Sequence, residues 1–271
     1  MNQLNFKDGK FKIMQIADIQ ENYQLNPDTI KLIELALDEE KPDLVVLTGD
    51  QIQGYSTCYL REPEKKVKAV IDAFLTPIKE RNIPFAVTFG NHDDDCKCSK
   101  QVQMAHYTSY ENCVYSEPRC EEDPGTFALT VKNSDDKDAL AIYLFDSGKA
   151  AMNGAAFPPV KKEQIEWYQN KRDSFKESLG EYLPGFVFQH IPVPEYRDLF
   201  IENEDGTFTP NENVKVLYGE MREPMGGSWF NPGLFEAMQR NGTEAMFCGH
   251  DHCNDFCVEY DGIYLVYNQT G

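Results

Sequence analysis

Several features that mark other classes of protein are missing from this chain of 271 residues. No apolar stretch approaches the ~18 residues of a membrane-spanning helix, so we expect no membrane partner. No Gly/Ser-rich or Pro-rich linker and no internal repeat divides the sequence, which predicts one domain over residues 1–271. The segment Met1–Lys10 lacks the apolar core of a secretion signal, so we expect a cytoplasmic protein.

Positive charge is also scarce in this sequence. It has 26 Lys and Arg residues against 45 Asp and Glu residues, and its formal net charge at pH 7 is −19. An excess of negative charge repels polyanions. We therefore expect no nucleic-acid partner, and the acidic balance favours small or cationic substrates. The hydrophobic fraction of 41% is enough for a large core.

The first half of the sequence alternates between predicted strands and helices. Short apolar runs predict the strands, and Asn26-Pro27 is a typical helix start because Asn caps a helix and Pro fits its first position. In chain order, the predicted elements are the strand Lys12–Ile16, a helix after Asn26, the strand Leu44–Leu47, the helix Glu64–Arg81 and the strand Phe85–Thr88. This βαβαβ order predicts a parallel sheet with right-handed crossovers.

The second half is richer in strands. The predicted elements are the strands Phe127–Val131, Leu140–Phe145, Phe186–Phe188, Ala245–Cys248, Cys257–Tyr260 and Ile263–Tyr267, and the helices Lys161–Leu179 and Pro232–Asn241. The dipeptide Asp261-Gly262 predicts a hairpin turn between the last two strands. The polar segment Ile201–Ser228, which contains several glycines, is expected to be a loop.

Side chains with an affinity for metal ions follow five of the apolar runs. The fragments are Asp18-Ile19-Gln20, Gly49-Asp50, Gly90-Asn91-His92-Asp93, Gln189-His190 and Gly249-His250-Asp251-His252. Because α/β proteins build their sites at the carboxyl ends of strands, we expect these fragments to converge. Two divalent ions about 4 Å apart need a bridging carboxylate, with imidazole, amide and carboxylate groups around them. The sequence therefore predicts a two-metal hydrolase with Asp50 as the bridge.

In their order along the chain, these fragments resemble the motifs of the calcineurin-like metallophosphoesterases. The string His190-Ile191-Pro192-Val193-Pro194-Glu195 is similar to the branch related to purple acid phosphatases. The resemblance extends from about Lys12 to Tyr267. It implies an α/β fold, a four-layer αββα sandwich of two mixed β-sheets flanked by helices, with the metal site at one edge.

The resemblance also implies a role for each motif residue. The first metal would bind Asp18, Asp50 and His252, and the second would bind Asp50, Asn91, His190 and His250. The cofactors expected on this basis are two divalent metal ions drawn from Mn, Fe, Zn and Mg. His92 would stabilise the transition state and protonate the leaving oxygen. Asp50 would take part in catalysis by bridging the two metals.

Gln20 is the position at which this sequence departs from the family. A His usually stands there, and the amide oxygen of Gln20 is a weaker ligand than imidazole, so we expect a looser first metal site. The alternative is that Gln20 points away from the metal and hydrogen-bonds a neighbouring group. Purple acid phosphatases proper have a metal-binding Tyr at the position of Gln53, and Tyr55 lies two residues later. A purple Fe(III)–tyrosinate site is therefore not expected.

Three functions are consistent with these motifs. The first is hydrolysis of phosphomonoesters, with a small phosphorylated metabolite or a phosphoprotein as the substrate. The second is hydrolysis of phosphodiesters at the same site. The third is a non-enzymatic metal-binding or interaction protein, which the presence of both Asp50 and His92 disfavours. The segments Ile201–Ser228 and Asp93–Pro124 are expected to form the walls of the substrate pocket.

Four of the eight cysteines follow the Gly-Asn-His-Asp motif at irregular intervals. They are Cys96, Cys98, Cys113 and Cys120, and their spacing does not match the usual spacing of a structural zinc site. Free thiols are expected ahead of disulfides or zinc, because no secretion signal is visible in the sequence.

Overall fold

The computed structural model of the protein describes residues 3–148 and 157–270. Within these ranges the chain forms thirteen β-strands and five α-helices. The strands are β1 (Leu4–Asn5), β2 (Ile13–Ile16), β3 (Leu44–Thr48), β4 (Phe85–Thr88), β5 (Phe127–Lys132), β6 (Asp138–Phe145), β7 (Gly185–Gln189), β8 (Phe200–Glu202), β9 (Phe208–Pro210), β10 (Lys215–Glu220), β11 (Thr243–Cys248), β12 (Asp255–Tyr260) and β13 (Ile263–Tyr267). The helices are α1 (Pro27–Glu40), α2 (Pro63–Glu80), α3 (Lys100–Tyr107), α4 (Lys162–Leu179) and α5 (Leu234–Arg240).

The strands form one large sheet, one small sheet and a short ribbon. The large sheet has eight strands in the order β1-β5-β6-β7-β11-β13-β12-β10 and contains both parallel and antiparallel pairs. The small sheet has the order β2-β3-β4, and both of its pairs are parallel. This small sheet is the βαβαβ unit that the first half of the sequence predicts, so that prediction is confirmed. Strands β8 and β9 form the ribbon.

The two sheets pack face to face between two layers of helices. Along β6, side chains alternate between two cores. Ile142 and Leu144 lie in the core shared with the small sheet, whereas Tyr143 and Phe145 lie in the core beneath α4 and α5. Buried side chains of α1 and α2 cover the other face of the small sheet. The predicted α/β class and its layered arrangement are confirmed. The expectation that both sheets are mixed is wrong for the small sheet, because helical crossovers join its three strands and make both pairs parallel.

The start of α1 shows how local sequence sets an element. The side chain of Asn26 accepts a hydrogen bond from the backbone N of Asp28 at 3.0 Å, and Pro27 occupies the first turn. An N-cap of this kind typically stabilises a helix by about 1 kcal/mol. Ile33 and Leu37 are the buried residues of the helix, one turn apart on the same face. The helix start agrees with the sequence prediction.

The segment Ile201–Ser228 differs from its prediction as a loop, because it contains part of β8 and the whole of β9 and β10. Strand β10 pairs with β12 at the edge of the large sheet. Most of its side chains are exposed, so it lacks the apolar alternation that marks a strand with one buried face. Backbone pairing holds it in the sheet, together with an ion pair between Lys215 and Glu259 and the packing of Val216 against the core. No pattern in its sequence predicts that pairing.

The cysteines and the apolarity of the helices can be compared with the sequence expectations. All eight cysteines lie in the described ranges and are free thiols, as the sequence analysis expects. Among the described helices, none combines the length and apolarity needed to cross a membrane.

Candidate metal-binding active site

The five motif fragments lie at the carboxyl ends of five strands from both sheets. Asp18 follows β2, Asp50 follows β3 and Asn91 follows β4. His190 and His250 follow β7 and β11, which are neighbours in the large sheet. Because the two sheets pack face to face, their strand ends meet at one edge of the sandwich. This edge is the candidate site.

Asp18, Asp50 and His190 form a tight buried group at its centre. Their ligand atoms all lie within 4.8 Å of one another. Nε2 of His190 is 3.3 Å from Oδ2 of Asp50 and 3.9 Å from Oδ1 of Asp18. His252 is more exposed, and its Nε2 lies 3.4 Å from Oδ1 of Asp18. Carboxylate and imidazole groups at these separations can hold a divalent metal ion.

Several buried polar atoms in this group lack the hydrogen bonds that a folded protein normally supplies. Within the described residues, Oδ1 of Asn91 and both ring nitrogens of His190 have no hydrogen-bond partner. The ring of His250 lies beside that of His190, with centroids 5.2 Å apart and an interplanar angle of 79°. Buried polar atoms are almost always paired, so Oδ1 of Asp18 and Nε2 of His190, unpaired among the described residues and 3.9 Å apart, fit a metal centre.

The backbone at the site is strained. Asp18, Gln20, Asp50 and His250 have φ angles of 54°, 44°, 52° and 87°, in the left-handed region that residues with a Cβ rarely adopt. Each such residue costs of the order of 1–3 kcal/mol, and strain of this kind clusters at functional sites. The turns after the strands therefore sacrifice some stability to direct these side chains inward.

Close packing of the strand ends explains why glycine precedes two of the motif residues. A Cβ at Gly90 would lie 2.2 Å from Oδ1 of Asp50, and a Cβ at Gly249 would lie 2.5 Å from Oδ2 of Asp18. Neither position has room for a side chain. The carboxylates of Asp18 and Asp50 can occupy the site only because the neighbouring strand ends present bare backbone.

Asp93 fastens two of the strand ends to each other. It is fully buried, and its Oδ2 accepts hydrogen bonds from the backbone N of Asp50 at 2.9 Å and of Gly90 at 2.7 Å. Its Oδ1 accepts a third from the backbone N of Ile52 at 3.0 Å. From the sequence, Asp93 belonged to the Gly-Asn-His-Asp motif and to the start of a pocket wall, and no role was predicted for it. The three backbone contacts show that it is an anchor for the turns that carry Asp50 and Asn91.

The charges in the centre are strongly coupled. Burial raises the pKa of Asp50, but the adjacent His190 outweighs this effect and holds that pKa well below its usual range. Burial lowers the pKa of His190, but the carboxylates of Asp50 and Asp18 have the larger effect and raise that pKa to about 9. Burial and the neighbouring His190 lower the pKa of His250 to about 3. Without a metal, the site is therefore an ion pair of Asp50 with a protonated His190, beside a neutral His250.

Gln20 lies next to these groups, and its amide has a defined orientation. Its Nε2 is 3.1 Å from Nε2 of His252 and 3.4 Å from Oδ2 of Asp50. Its Oε1 accepts a hydrogen bond of 3.0 Å from the hydroxyl of Tyr55. The nitrogen end of the amide thus faces the site, and the oxygen end faces Tyr55. That Gln20 binds metal stays a prediction.

His92 stands at the rim of the site, with its side chain 33% exposed. Its backbone N donates to Oδ1 of Asp50 at 2.8 Å, and its Nδ1 lies 3.0 Å from Oδ2 of Asp95. The ring of Tyr55 packs edge-on against its imidazole, with centroids 4.8 Å apart. Asp95 lies within the expected wall segment Asp93–Pro124, but its contact with His92 was not predicted from the sequence. The contact of Tyr55 with His92 was not predicted either.

The expected pocket walls reach the site in part. The backbone N of Gly226 donates to both carboxylate oxygens of Asp251, at 3.0 and 2.9 Å, so the segment Ile201–Ser228 touches the Gly-His-Asp-His motif. Just beyond it, Trp229 is 79% exposed and stacks on Arg197. From the segment Asp93–Pro124, Asp95 joins the site. His106 instead contacts Asp72 on α2, at 2.6 Å.

Comparisons with known proteins agree with this geometry. The family model described as calcineurin-like phosphoesterase matches residues 11–254. Phosphatase DCR2 of Saccharomyces cerevisiae is 28% identical, over 97% of this chain and 48% of the yeast protein. A protein named probable inactive purple acid phosphatase 14, of Arabidopsis thaliana, is 28% identical over 98% of this chain and 71% of its own length. The chain thus spans about half the length of its yeast relative.

Solved structures support the fold. One crystal structure has a TM-score of 0.54 and 15% identity, and the match covers 96% of this chain and 90% of that one. GAP50, described as the anchor in the inner membrane complex of Plasmodium, has a TM-score of 0.52 and 12% identity, over 95% of this chain and 70% of its own. At these identities, the likeness extends to the fold alone.

Proposed function

Because the chain belongs to the calcineurin-like phosphoesterase family, we propose that it is an enzyme that hydrolyses phosphomonoesters with the help of two divalent metal ions. The observation that carries the proposal is the buried cluster of Asp18, Asp50 and His190. Among the described residues, the ring nitrogens of His190 have no hydrogen-bond partner. The substrate class that we propose is a small phosphorylated metabolite or an accessible phosphorylated side chain of a protein.

The residues present are suited to two ions that share one carboxylate. Asp18 and His252 would hold the first, and Asn91, His190 and His250 would hold the second, with Asp50 common to both. When bound, such a pair of ions lowers the pKa of water and neutralises charge on the phosphoryl oxygens. The strained turns and the backbone bonds to Asp93 keep the donor groups in place for this purpose.

His92 supplies the proton transfer in this proposal. The carboxylate of Asp95 contacts Nδ1, which fixes the orientation of the imidazole and leaves Nε2 for the substrate. The backbone bond from His92 to Asp50 keeps the ring next to the site. A proton delivered by Nε2 to the leaving oxygen would make that oxygen a better leaving group, an effect typically of about 10²–10⁴ in rate.

A non-enzymatic metal-binding protein is the main competing function, since several relatives are named as probable inactive phosphatases. What supports activity in this chain is the presence of both the shared carboxylate, Asp50, and the proton donor, His92. A phosphodiesterase would use the same groups, so a comparison of substrates has to separate the two ester classes.

The test is a substrate panel assayed on metal-depleted protein reloaded with Mn²⁺, Fe²⁺, Zn²⁺ or Mg²⁺. We expect metal-dependent release of phosphate from monoesters, and a larger kcat/KM for monoesters than for diesters. Asp50→Asn should abolish this activity, whereas Asp135→Asn, in an exposed turn, should retain it. Metal binding without hydrolysis of any ester would identify a binding protein, and faster hydrolysis of diesters would identify a phosphodiesterase.

A further inference from the structure

Gln20 and Tyr55 form a polar pair beside the candidate metal site. Tyr55 is 54% exposed, and its hydroxyl donates to Oε1 of Gln20 at 3.0 Å. The oxygen of the Gln20 amide, the only atom through which that side chain could bind a metal, therefore already has a partner outside the site. The Nε2 end is turned toward Asp50 and His252.

A chain of hydrogen bonds determines which way this pair is oriented. Nδ2 of Asn22 donates to Oε1 of Gln53 at 2.9 Å, and Nε2 of Gln53 donates to the Tyr55 hydroxyl at 3.3 Å. Because the hydroxyl oxygen accepts from Gln53, its single proton is available for Oε1 of Gln20. The donor-to-acceptor direction of these hydrogen bonds therefore turns the NH₂ group of Gln20 toward the site.

The present neighbours of that NH₂ group are atoms that the proposed metals would use. Oδ2 of Asp50 accepts a hydrogen bond from this group at 3.4 Å, and Nε2 of His252, which also lies 3.4 Å from Oδ1 of Asp18, is 3.1 Å away. An imidazole nitrogen bound to a metal has no lone pair left for a hydrogen bond, whereas a carboxylate oxygen bound to one metal keeps a second lone pair. With His252 bound to a metal, the NH₂ group would keep one hydrogen that Asp50 does not take, and it lies beside the side chains that would hold the metals.

We infer that Gln20 is a phosphate-binding residue rather than a metal ligand, and that Tyr55 positions it. The amide donates to a phosphoryl oxygen, and the Tyr55 hydroxyl keeps the amide in the donating orientation. Tyr55 also packs edge-on against His92, so one residue orients the phosphate donor and supports the proton donor. A neutral donor suits this role, since it binds the phosphoryl group without competing for the carboxylates that hold the metals.

This inference rests on the proposed function, because it assigns a role at the same site. Its test uses two measurements besides activity: titration of the metal-free protein with Mn²⁺, and binding of inorganic phosphate to the Mn²⁺-loaded protein by calorimetry. The variants are Gln20→Ala and Tyr55→Phe. Gln239→Ala and Tyr264→Phe, exposed residues of the same types elsewhere in the fold, are the matched controls.

We expect Gln20→Ala to bind Mn²⁺ with the same stoichiometry as the wild type and within about twofold of its affinity. The variant should bind phosphate about ten- to a hundredfold more weakly, because it loses a hydrogen bond to a charged group. Tyr55→Phe should weaken phosphate binding about three- to tenfold and leave Mn²⁺ binding unchanged. The two control variants should match the wild type in both measurements.

The possible outcomes separate this inference from the proposed function. Loss of one Mn²⁺ from Gln20→Ala, or unchanged phosphate binding, would overturn the role of Gln20 while leaving a hydrolytic wild type intact. Unchanged phosphate binding by Tyr55→Phe would overturn the positioning role of Tyr55. If the wild type binds Mn²⁺ and phosphate but hydrolyses no ester, the proposed function fails, and the two variants still decide the role of Gln20.

Discussion

At the scale of single residues, His92 is held by groups that leave it free to react. Its backbone is bonded to Asp50, and its side chain contacts Asp95 and the ring of Tyr55. None of these contacts uses Nε2, and a third of the side chain is exposed. A histidine in this position can exchange protons with a substrate without disturbing the metal ligands.

We expect His92→Ala to retain both metals and to slow the hydrolysis of monoesters that have poor leaving groups by about 10²–10⁴-fold. Esters with acidic leaving groups need less protonation and should be affected less. The measurement is kcat for a series of aryl phosphates, together with metal content. His106→Ala, which removes an imidazole bonded to Asp72 on α2, is the control and should change neither quantity. A missing metal in His92→Ala would contradict the assigned role.

His190 should make the proposed metal binding depend on pH. Burial lowers its pKa, but Asp50 and Asp18 outweigh burial and raise it to about 9 in the metal-free protein. A folded-state pKa above the ordinary value of about 6.5 means that the ion pair stabilises the metal-free fold fully below about pH 6.5. This contribution is lost as the pH rises through about 9, and a bound metal must displace the same proton.

Uptake of Mn²⁺ at pH 7 should therefore release at least one proton, and the affinity should increase between pH 7 and 9. Titration calorimetry in buffers of different ionisation enthalpy measures the number of protons released. The expected result is a heat that changes with the buffer, with a slope of about one proton or more. A heat independent of the buffer would mean that His190 is already neutral in the metal-free protein.

The residues of the site differ in how visible they are in the sequence. Asp18, Asp50 and His190 each stand directly after an apolar run, so the sequence analysis could place them at strand ends. Tyr55 and Asp95 come from the turns that follow those ends. They reach Gln20 and His92 through the path of the backbone, which no local pattern encodes. The strand-end positions of these side chains were therefore predictable, and the contacts of Tyr55 and Asp95 were not.

At the scale of elements, the turns after β3 and β4 depend on Asp93. Its carboxylate accepts hydrogen bonds from the backbone N of Asp50, Ile52 and Gly90. These three bonds connect two neighbouring strand ends. They also compensate for the strained backbone of Asp50, whose φ is 52°.

Asp93→Asn should destabilise the protein and weaken its metal binding together. The amide has one acceptor oxygen where the carboxylate has two, and its NH₂ group would face backbone donors. We expect a loss of about 1–3 kcal/mol in the free energy of unfolding, as for an unpaired buried donor. Urea denaturation of metal-free protein measures this loss, and Mn²⁺ titration measures the affinity. Asp135→Asn is the control, and equal stability of the two variants would show that Asp93 is not an anchor.

The helices and strands were predictable where their buried residues form a recognisable pattern of apolar side chains in the sequence. Strands β4 and β13 have the bounds that the sequence analysis gives, because each is a short apolar run between turn residues. The α1 start follows from its cap at Asn26. Strand β10 was not predictable, since its exposed side chains carry no alternation and its pairing with β12 is a long-range backbone contact.

At the scale of the whole molecule, the proposed metal binding should be linked to folding. The donors come from five strand ends in two sheets, so the unfolded chain cannot present them together. A ligand that binds only the native state stabilises it by mass action. The formal charge of −19 acts in the same direction, because bound cations reduce the self-repulsion of the folded chain.

Removal of metal should therefore lower the Tm, and Asp50→Asn should abolish the difference. At a free metal concentration one hundred times Kd, each site stabilises the fold by about 2.7 kcal/mol, which corresponds to roughly 5–10 °C for a domain of this size. Asp50 is the carboxylate proposed to be shared by both sites, and a neutral amide cannot bridge two cations. Calorimetric scans of the wild type and the variant, each with Mn²⁺ and with a chelator, measure the effect. Asp135→Asn should show the full rise with Mn²⁺. A wild-type rise retained by Asp50→Asn, with two metals still bound, would show that neither site depends on this carboxylate.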